Sequence, residues 1–154
     1  MKLSKSGESL FIADGKMFII YSLKKKKKIA SYLLSSQVSK MFISNDEKLA
    51  YLMKSNKGIK IINILNYNDI KVKSEIMIKG RYSSFTVSKD NKTLYLTGKR
   101  GVKVLDIRNP LNYKVKNIYI DAGKNYISHI LLDEQTKKFF VTFARPSSIG
   151  VVKY

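Results

Sequence analysis

The sequence predicts an all-β protein made of about four copies of one antiparallel unit of roughly 43 residues. Three observations predict it. Four gapless segments share one pattern of apolar and turn residues. A second, glycine-led set follows the first at nearly the same period. No stretch carries a 3.6-residue apolar period of helix length, whereas short alternating runs recur throughout.

The first set is LSKSGESLFI (3–12), ISNDEKLAYL (43–52), VSKDNKTLYL (87–96) and LDEQTKKFFV (132–141). Each runs from an aliphatic residue through a polar turn into an apolar strand. An aromatic stands at one offset in every copy: Phe11, Tyr51, Tyr95 and Phe140, in steps of 40, 44 and 45 residues. Matched offsets predict packing between units, not a base-stacking platform. The second set is GKMFIIYSL (15–23), GIKIINIL (58–65), GVKVLDIR (101–108) and GVVKY (150–154), with glycines 43, 43 and 49 apart. Two landmark sets sharing a period make repetition the governing feature.

The third unit reads most clearly. SSFTV (83–87) is a β-prone run, SKDN (88–91) a turn, TLYLTG (93–98) a second strand and KRG (99–101) a tight loop. VKVLDI (102–107) is a third strand, RNPLNY (108–113) a loop whose proline stops it, and KVKNIYI (114–120) a fourth. The second unit repeats this at 38–43, 48–53, 59–65 and 71–78. A four-stranded antiparallel sheet leaves two faces to cover, and stacking such sheets radially covers both. The expectation is therefore one β-propeller-like domain over 1–154, with blades near 1–34, 35–78, 79–120 and 121–154. An antiparallel sandwich also has many short strands but gives no reason for landmarks at matched offsets.

GVKVLDIRNP (101–110), with TLYLTGKRG before it, resembles the repeat of the LVIVD proteins, a propeller family. Gly101, Val102, Val104, Leu105, Asp106, Ile107, Asn109 and Pro110 carry the likeness. Unit two departs from it with Asn63 at the aspartate position; units one and four place Tyr21 and Tyr154 there. The chain has no tryptophan and does not resemble a WD-repeat protein. The resemblance implies a propeller with a binding or scaffolding role and no catalytic residues.

The first unit has only Met1–Leu3 before its first turn, and the fourth has no strand after Tyr154. The first and last blades are thus expected to be incomplete, as in a partial propeller, a fragment, or a protomer that completes a ring by self-association.

The formal charge is +19, from 30 Lys+Arg against 11 Asp+Glu. Such a balance suits nucleic acid or another polyanion. Richness in Lys, Asn, Ile and Tyr is also what AT-rich coding produces, and arginine, the better bidentate phosphate ligand, is scarce. The loops expected to share one propeller face carry the candidate basic site: Lys54, Lys57, Lys79, Arg81, Lys99, Arg100, Lys124 and Arg145. Asp14, Lys16 and Asp121 accompany them. The run KKKKK (24–28) reads as a solvated turn, without the interleaved aromatics of a nucleic-acid site.

Catalytic and metal chemistry find little to work with. There is no cysteine and a single histidine, His129, in an apolar strand, so no zinc set is expected and no cofactor is implied. Asp46, Glu47, Asp90, Asp133 and Glu134 recur at first turns, which predicts turn formation and not paired catalytic acids. Asp106 is expected to bond backbone in its own turn. No phosphate loop or nucleophile elbow occurs. The favoured reading is a soluble, cytoplasmic, non-enzymatic module that binds a protein partner through its loops; polyanion binding is the alternative.

Overall fold

The computed structural model describes residues 1–54, 58–78, 80–99, 101–109, 112–118, 126–144 and 147–153. They form four antiparallel sheets in two compact units, Met1–Lys79 and Gly80–Tyr154. Blade 1 consists of β1 (Lys2–Leu3), β2 (Ser9–Asp14), β3 (Met17–Ser22) and β4 (Lys27–Leu33). Blade 2 consists of β5 (Val38–Ile43), β6 (Leu49–Lys54), β7 (Gly58–Asn63) and β8 (Lys71–Ile76). In the second unit, blade 3 holds β9 (Tyr82–Val87), β10 (Thr93–Gly98), β11 (Gly101–Asp106) and β12 (Lys114–Ile118). Blade 4 holds β13 (Ile127–Asp133), β14 (Lys138–Ala144) and β15 (Ser147–Lys153). Every sheet runs in sequence order, the signature of meandering hairpins. As expected, the first sheet opens on a two-residue strand and the last has three strands.

One turn explains the first landmark set. The Ser44 hydroxyl donates to Asp46 Oδ1 (2.6 Å) and accepts from the Leu49 amide (2.9 Å). Ser88 does the same with Asp90 (2.6 Å) and Thr93 (2.9 Å). Ser4 accepts from the Ser9 amide (3.0 Å), with the Ser6 hydroxyl where the aspartate would be. These buried serines satisfy amides that the tight turn removes from the sheet ladder. In blade 4 Asp133 takes over, accepting from the Gln135 and Thr136 amides (3.0 and 3.2 Å). The two glutamates do something else: Lys5 N–H donates to Glu47 Oε1, and Lys89 N–H to Glu134 Oε1, both at 2.7 Å. Each stitches the first turn of one blade to that of the next.

The third strands also end alike. Side-chain oxygens of Ser22, Asn63 and Asp106 accept from the amides of Lys25, Leu65 and Arg108 at 3.1, 2.9 and 3.1 Å. Strand register puts Ser22, not Tyr21, at the Asp106 position in blade 1, and Lys153, not Tyr154, in blade 4. The glycine series holds for Gly58 and Gly101, which open β7 and β11 at φ 88° and 120°, and for Gly15 in the preceding turn at φ 54°. Gly150 is different: it lies inside β15, where a Cβ would stand 2.9 Å from the Phe143 ring. Its 49-residue step was the sign of another role.

Blade faces pack within each unit. Phe11, Phe18 and Ile20 of blade 1 form a buried cluster with Ile43, Ala50, Leu52 and Ile62 of blade 2. Phe11 and Phe18 stack with centroids 6.4 Å apart. In the second unit Tyr95 and Val102 meet Ile130, Phe139 and Val141, Tyr95 lying edge-on to Phe139 at 5.2 Å. Each fully buried side chain of this size contributes about 2–3 kcal/mol. The aromatic column is core at Phe11, Tyr51 and Tyr95, but Phe140 is substantially exposed, and its neighbour Phe139 takes the buried place. Phe140 keeps the register position of Phe11 and Tyr95, but it lies on the side of the last sheet that is exposed, whereas Phe139, on the other side, packs against blade 3.

Candidate functional site: a basic cleft on the third blade

An open cleft of about 350 Å³ lies on the outer half of blade 3. Register builds it. Thr93, Asp106 and Lys114 stand side by side across β10, β11 and β12, and Tyr95, Val104 and Lys116 form the next row. The turn residues Asp90 and Lys92 enter from one side, Arg108 from the end of β11, and Val115 completes the wall. The floor is half-open because of what covers it. Ile20, opposite Phe11 in blade 1, is fully buried, whereas Val104, opposite Tyr95 in the same register, is only half-buried. Val152 of β15 reaches the Val104 cluster, and among the described residues the sheet of blade 4 ends with that strand.

The cleft brings four cations (Lys92, Arg108, Lys114, Lys116) against two carboxylates (Asp90, Asp106). Arg108 Nε donates to Asp106 Oδ1 (2.9 Å) and Oδ2 (3.0 Å), and its guanidinium also pairs with Oδ2. Those hydrogen bonds hold the half-buried Asp106 carboxyl down at about 2, and Asp106 in turn raises Arg108. The Ser88 hydroxyl, then the Lys92 amide, lowers the Asp90 carboxyl. Both acids stay ionised near neutrality and are spent on turns, so neither offers a proton for general acid chemistry. The cleft presents excess positive charge above an apolar strip.

The sequence-predicted basic site fares unevenly. Arg81 and Lys99 are exposed and flank the same end of blade 3, the Arg81 carbonyl lying 3.0 Å from where a Gly98 Cβ would be. This is the end of the strands opposite the cleft. Lys54 is no loop residue: it ends β6, is 4% exposed, and is ion-paired with Glu75, which also holds Lys60 at 3.5 Å. It shares a side of β6 with the buried Leu52, in a strand buried from Ala50 to Lys54, and so is turned inward. Lys57, Lys79, Arg100, Lys124 and Arg145 lie outside the described residues, as does Asp121. The lysines 24–28 are exposed along the β3–β4 turn. His129 is an exposed residue of β13 near Thr142 (3.5 Å). Lys114 and Lys116 share one face of β12 by their spacing, but they and Lys92 were missed as a site because only strand pairing brings that face beside Lys92 and Arg108.

Among the described residues there is no cluster of three metal-ligating side chains, and no helix long and apolar enough to cross a membrane. No family model and no curated protein matches the sequence. The fold is found among solved structures. The chain is similar to Kuenenia stuttgartiensis hydrazine synthase, with a TM-score of 0.77 and 16% identity, over 98% of this chain and 44% of that one. It is similar to the β-propeller domain of Myceliophteria thermophila Cps50 (Swd1), with a TM-score of 0.78 and 9% identity, over 99% of this chain and 52% of that one. The chain thus spans about half the length of these structures. Four meandering sheets and this likeness together make the fold that of a partial β-propeller.

Proposed function

We propose that the chain is a non-enzymatic interaction module that binds an acidic, extended segment of a protein partner along the cleft beside β12. One observation carries the reading: the outer rows of blade 3 hold two more cations than carboxylates over a half-covered apolar strip, at the place where, among the described residues, the sheet of blade 4 ends with β15. An extended segment laid there gains backbone pairing along the β15 edge and charge pairing with Lys92, Lys114 and Lys116. Propellers commonly mediate protein interactions, and the LVIVD-like stretch 101–110, whose Asp106 and Arg108 shape the cleft, suits that role. Arg81 and Lys99 form a smaller basic patch at the other strand ends, a second contact for the same partner.

The test is fluorescence anisotropy with a labelled peptide of alternating Glu and Val, set beside a single-stranded DNA oligonucleotide. The peptide should bind, and Lys92→Gln/Lys114→Gln/Lys116→Gln should weaken it about tenfold or more, as one or two lost charge pairs would. Replacing Lys24–Lys28 by Gln should leave it unchanged. Unaltered peptide binding by the triple variant overturns the reading. The formal charge of +19 favours nucleic-acid binding as the second reading. Tighter DNA binding with a steep fall in log K against log salt, lost with the lysine run, would install it instead.

A further inference from the structure

Within each unit the first blade presents the second with a triplet set by register. In blade 1 it is Phe11, Ile20 directly opposite it, and Phe18 one row along, all 0% exposed against blade 2. In blade 3 the same positions are Tyr95, Val104 and Val102, packed on blade 4. In blade 4 they are Phe140, Val151 and Ile149. The chemistry is kept, yet these three are 37%, 57% and 75% exposed, and Leu131, paired with Phe140, is 67% exposed. A face built like the buried ones therefore stands uncovered.

The complementary face is also uncovered. Blade 2 covers blade 1 with Ile43, Ala50, Leu52 and Ile62, and blade 4 covers blade 3 with Leu132, Phe139, Val141 and Val152. The same register positions in blade 1 are Leu3, Leu10, Ile12 and Tyr21. They alternate with the buried Phe11 and Ile20, so they lie on the other side of the sheet; Leu3 is exposed and the other three are half-buried. Apolar sheet faces of this extent on a single chain mark a contact surface.

We propose that the Phe140 face of one chain docks on the Leu10–Ile12 face of a second copy, head to tail. Two features select a second copy as the occupant. The two open faces carry the two halves of the contact already made within each unit, so one chain supplies both partners. The chain also spans about half the length of propeller structures it resembles, and two copies bring eight sheets, within the about four to eight typical of a propeller. The contact is independent of the cleft, since Phe140, Val151 and Ile149 line no part of it.

Sedimentation velocity on the full chain across the micromolar range tests this. The wild type should sediment as a species heavier than the 17.7 kDa monomer. Phe140→Glu buries an unpaired charge in the contact and should weaken association about a hundredfold. Ile12→Glu should do so from the other side; where it perturbs folding by circular dichroism, Leu33→Glu, exposed on the same face, replaces it. Mixing the two folded variants should restore a dimer, because one intact contact re-forms between them. A monomeric wild type, association indifferent to Phe140→Glu, or folded variants that fail to complement each overturns the proposal. The Glu–Val peptide assay on Phe140→Glu separates this outcome from that of the cleft.

Discussion

Replacing Glu75 by Gln should expose how an ammonium survives inside the second blade. Lys54 is almost wholly buried (side chain 3% exposed), and its Nζ is ion-paired with Glu75 Oε1. Lys60 shares the same carboxylate through Oε2 at 3.5 Å. Glu75→Gln keeps the shape but leaves a buried cation without its counter-charge. Breaking a fully buried pair costs about 3–5 kcal/mol. Glu75 is 31% exposed, so water recovers part of this; the expected loss is about 2–3 kcal/mol. Urea denaturation followed by circular dichroism should show the midpoint falling by about 1 M or more with little change in slope. Lys54→Met removes the charge and keeps the stem, leaving Glu75 with Lys60, and should cost under about 1 kcal/mol; adding Glu75→Gln to it should cost little more. The exposed pair Lys71–Asp69, at 2.6 Å, is the control: Asp69→Asn should cost under about 0.5 kcal/mol. Burial pushes the Glu75 carboxyl up, but hydrogen bonding and charge from Lys54, then Lys60, outweigh it and leave it below 4.5. A depressed acid stabilises above its unfolded value, so the gap between wild type and Glu75→Gln should close as pH falls from 4.5 through the folded value. A Glu75→Gln loss no larger than that of Asp69→Asn refutes the reasoning.

Three further outcomes follow from single positions. Gly58→Ala puts a Cβ 2.0 Å from the Ile76 carbonyl oxygen at φ 88°; it should lose about 3 kcal/mol or more in the same assay, against about 1 kcal/mol for Gly15→Ala, where the space is open. Tyr51 is pushed up to about 12, by burial first and the Asp46 charge second. A raised group stabilises below its unfolded value, near 10, so about 3 kcal/mol should be lost between pH 10 and 12, read as the divergence of wild type from Tyr51→Phe. Phe139→Ala should cost about 3–5 kcal/mol and Phe140→Ala under about 1 kcal/mol in the monomer, measured by thermal melting; equal losses would mean the faces are assigned wrongly.

Much of the fold was legible in the sequence because propeller blades repeat their turns as well as their strands. Second- and third-blade strands fall within a few residues of the apolar runs, since each is bounded by a serine–aspartate turn or a glycine hairpin whose chemistry is local. Landmarks slipped where local pattern and pairing part company. Tyr21 was one residue off because counting from a glycine ignores the turn length that places Ser22 beside Ser9. Gly150 looked like a hairpin opener, but it is small for the sake of Phe143 across the sheet.

The candidate site was less legible for a physical reason: it is made across strands. Lys92 sits in a turn, Arg108 beyond the end of β11, and Lys114 and Lys116 in β12, and only the pairing of β10, β11 and β12 sets them around one apolar strip. Lys54 shows the reverse, a loop cation by position that folding turns inward onto Glu75. A surplus of lysine hides both kinds, because net charge says how many cations there are but not which of them meet a carboxylate. What separates them is the alternation of each strand read against which of its faces a neighbouring blade covers. Applied to the last blade, the same rule makes Phe139 core and Phe140 surface, and so links the stability of the chain to the contact it can make with its own kind.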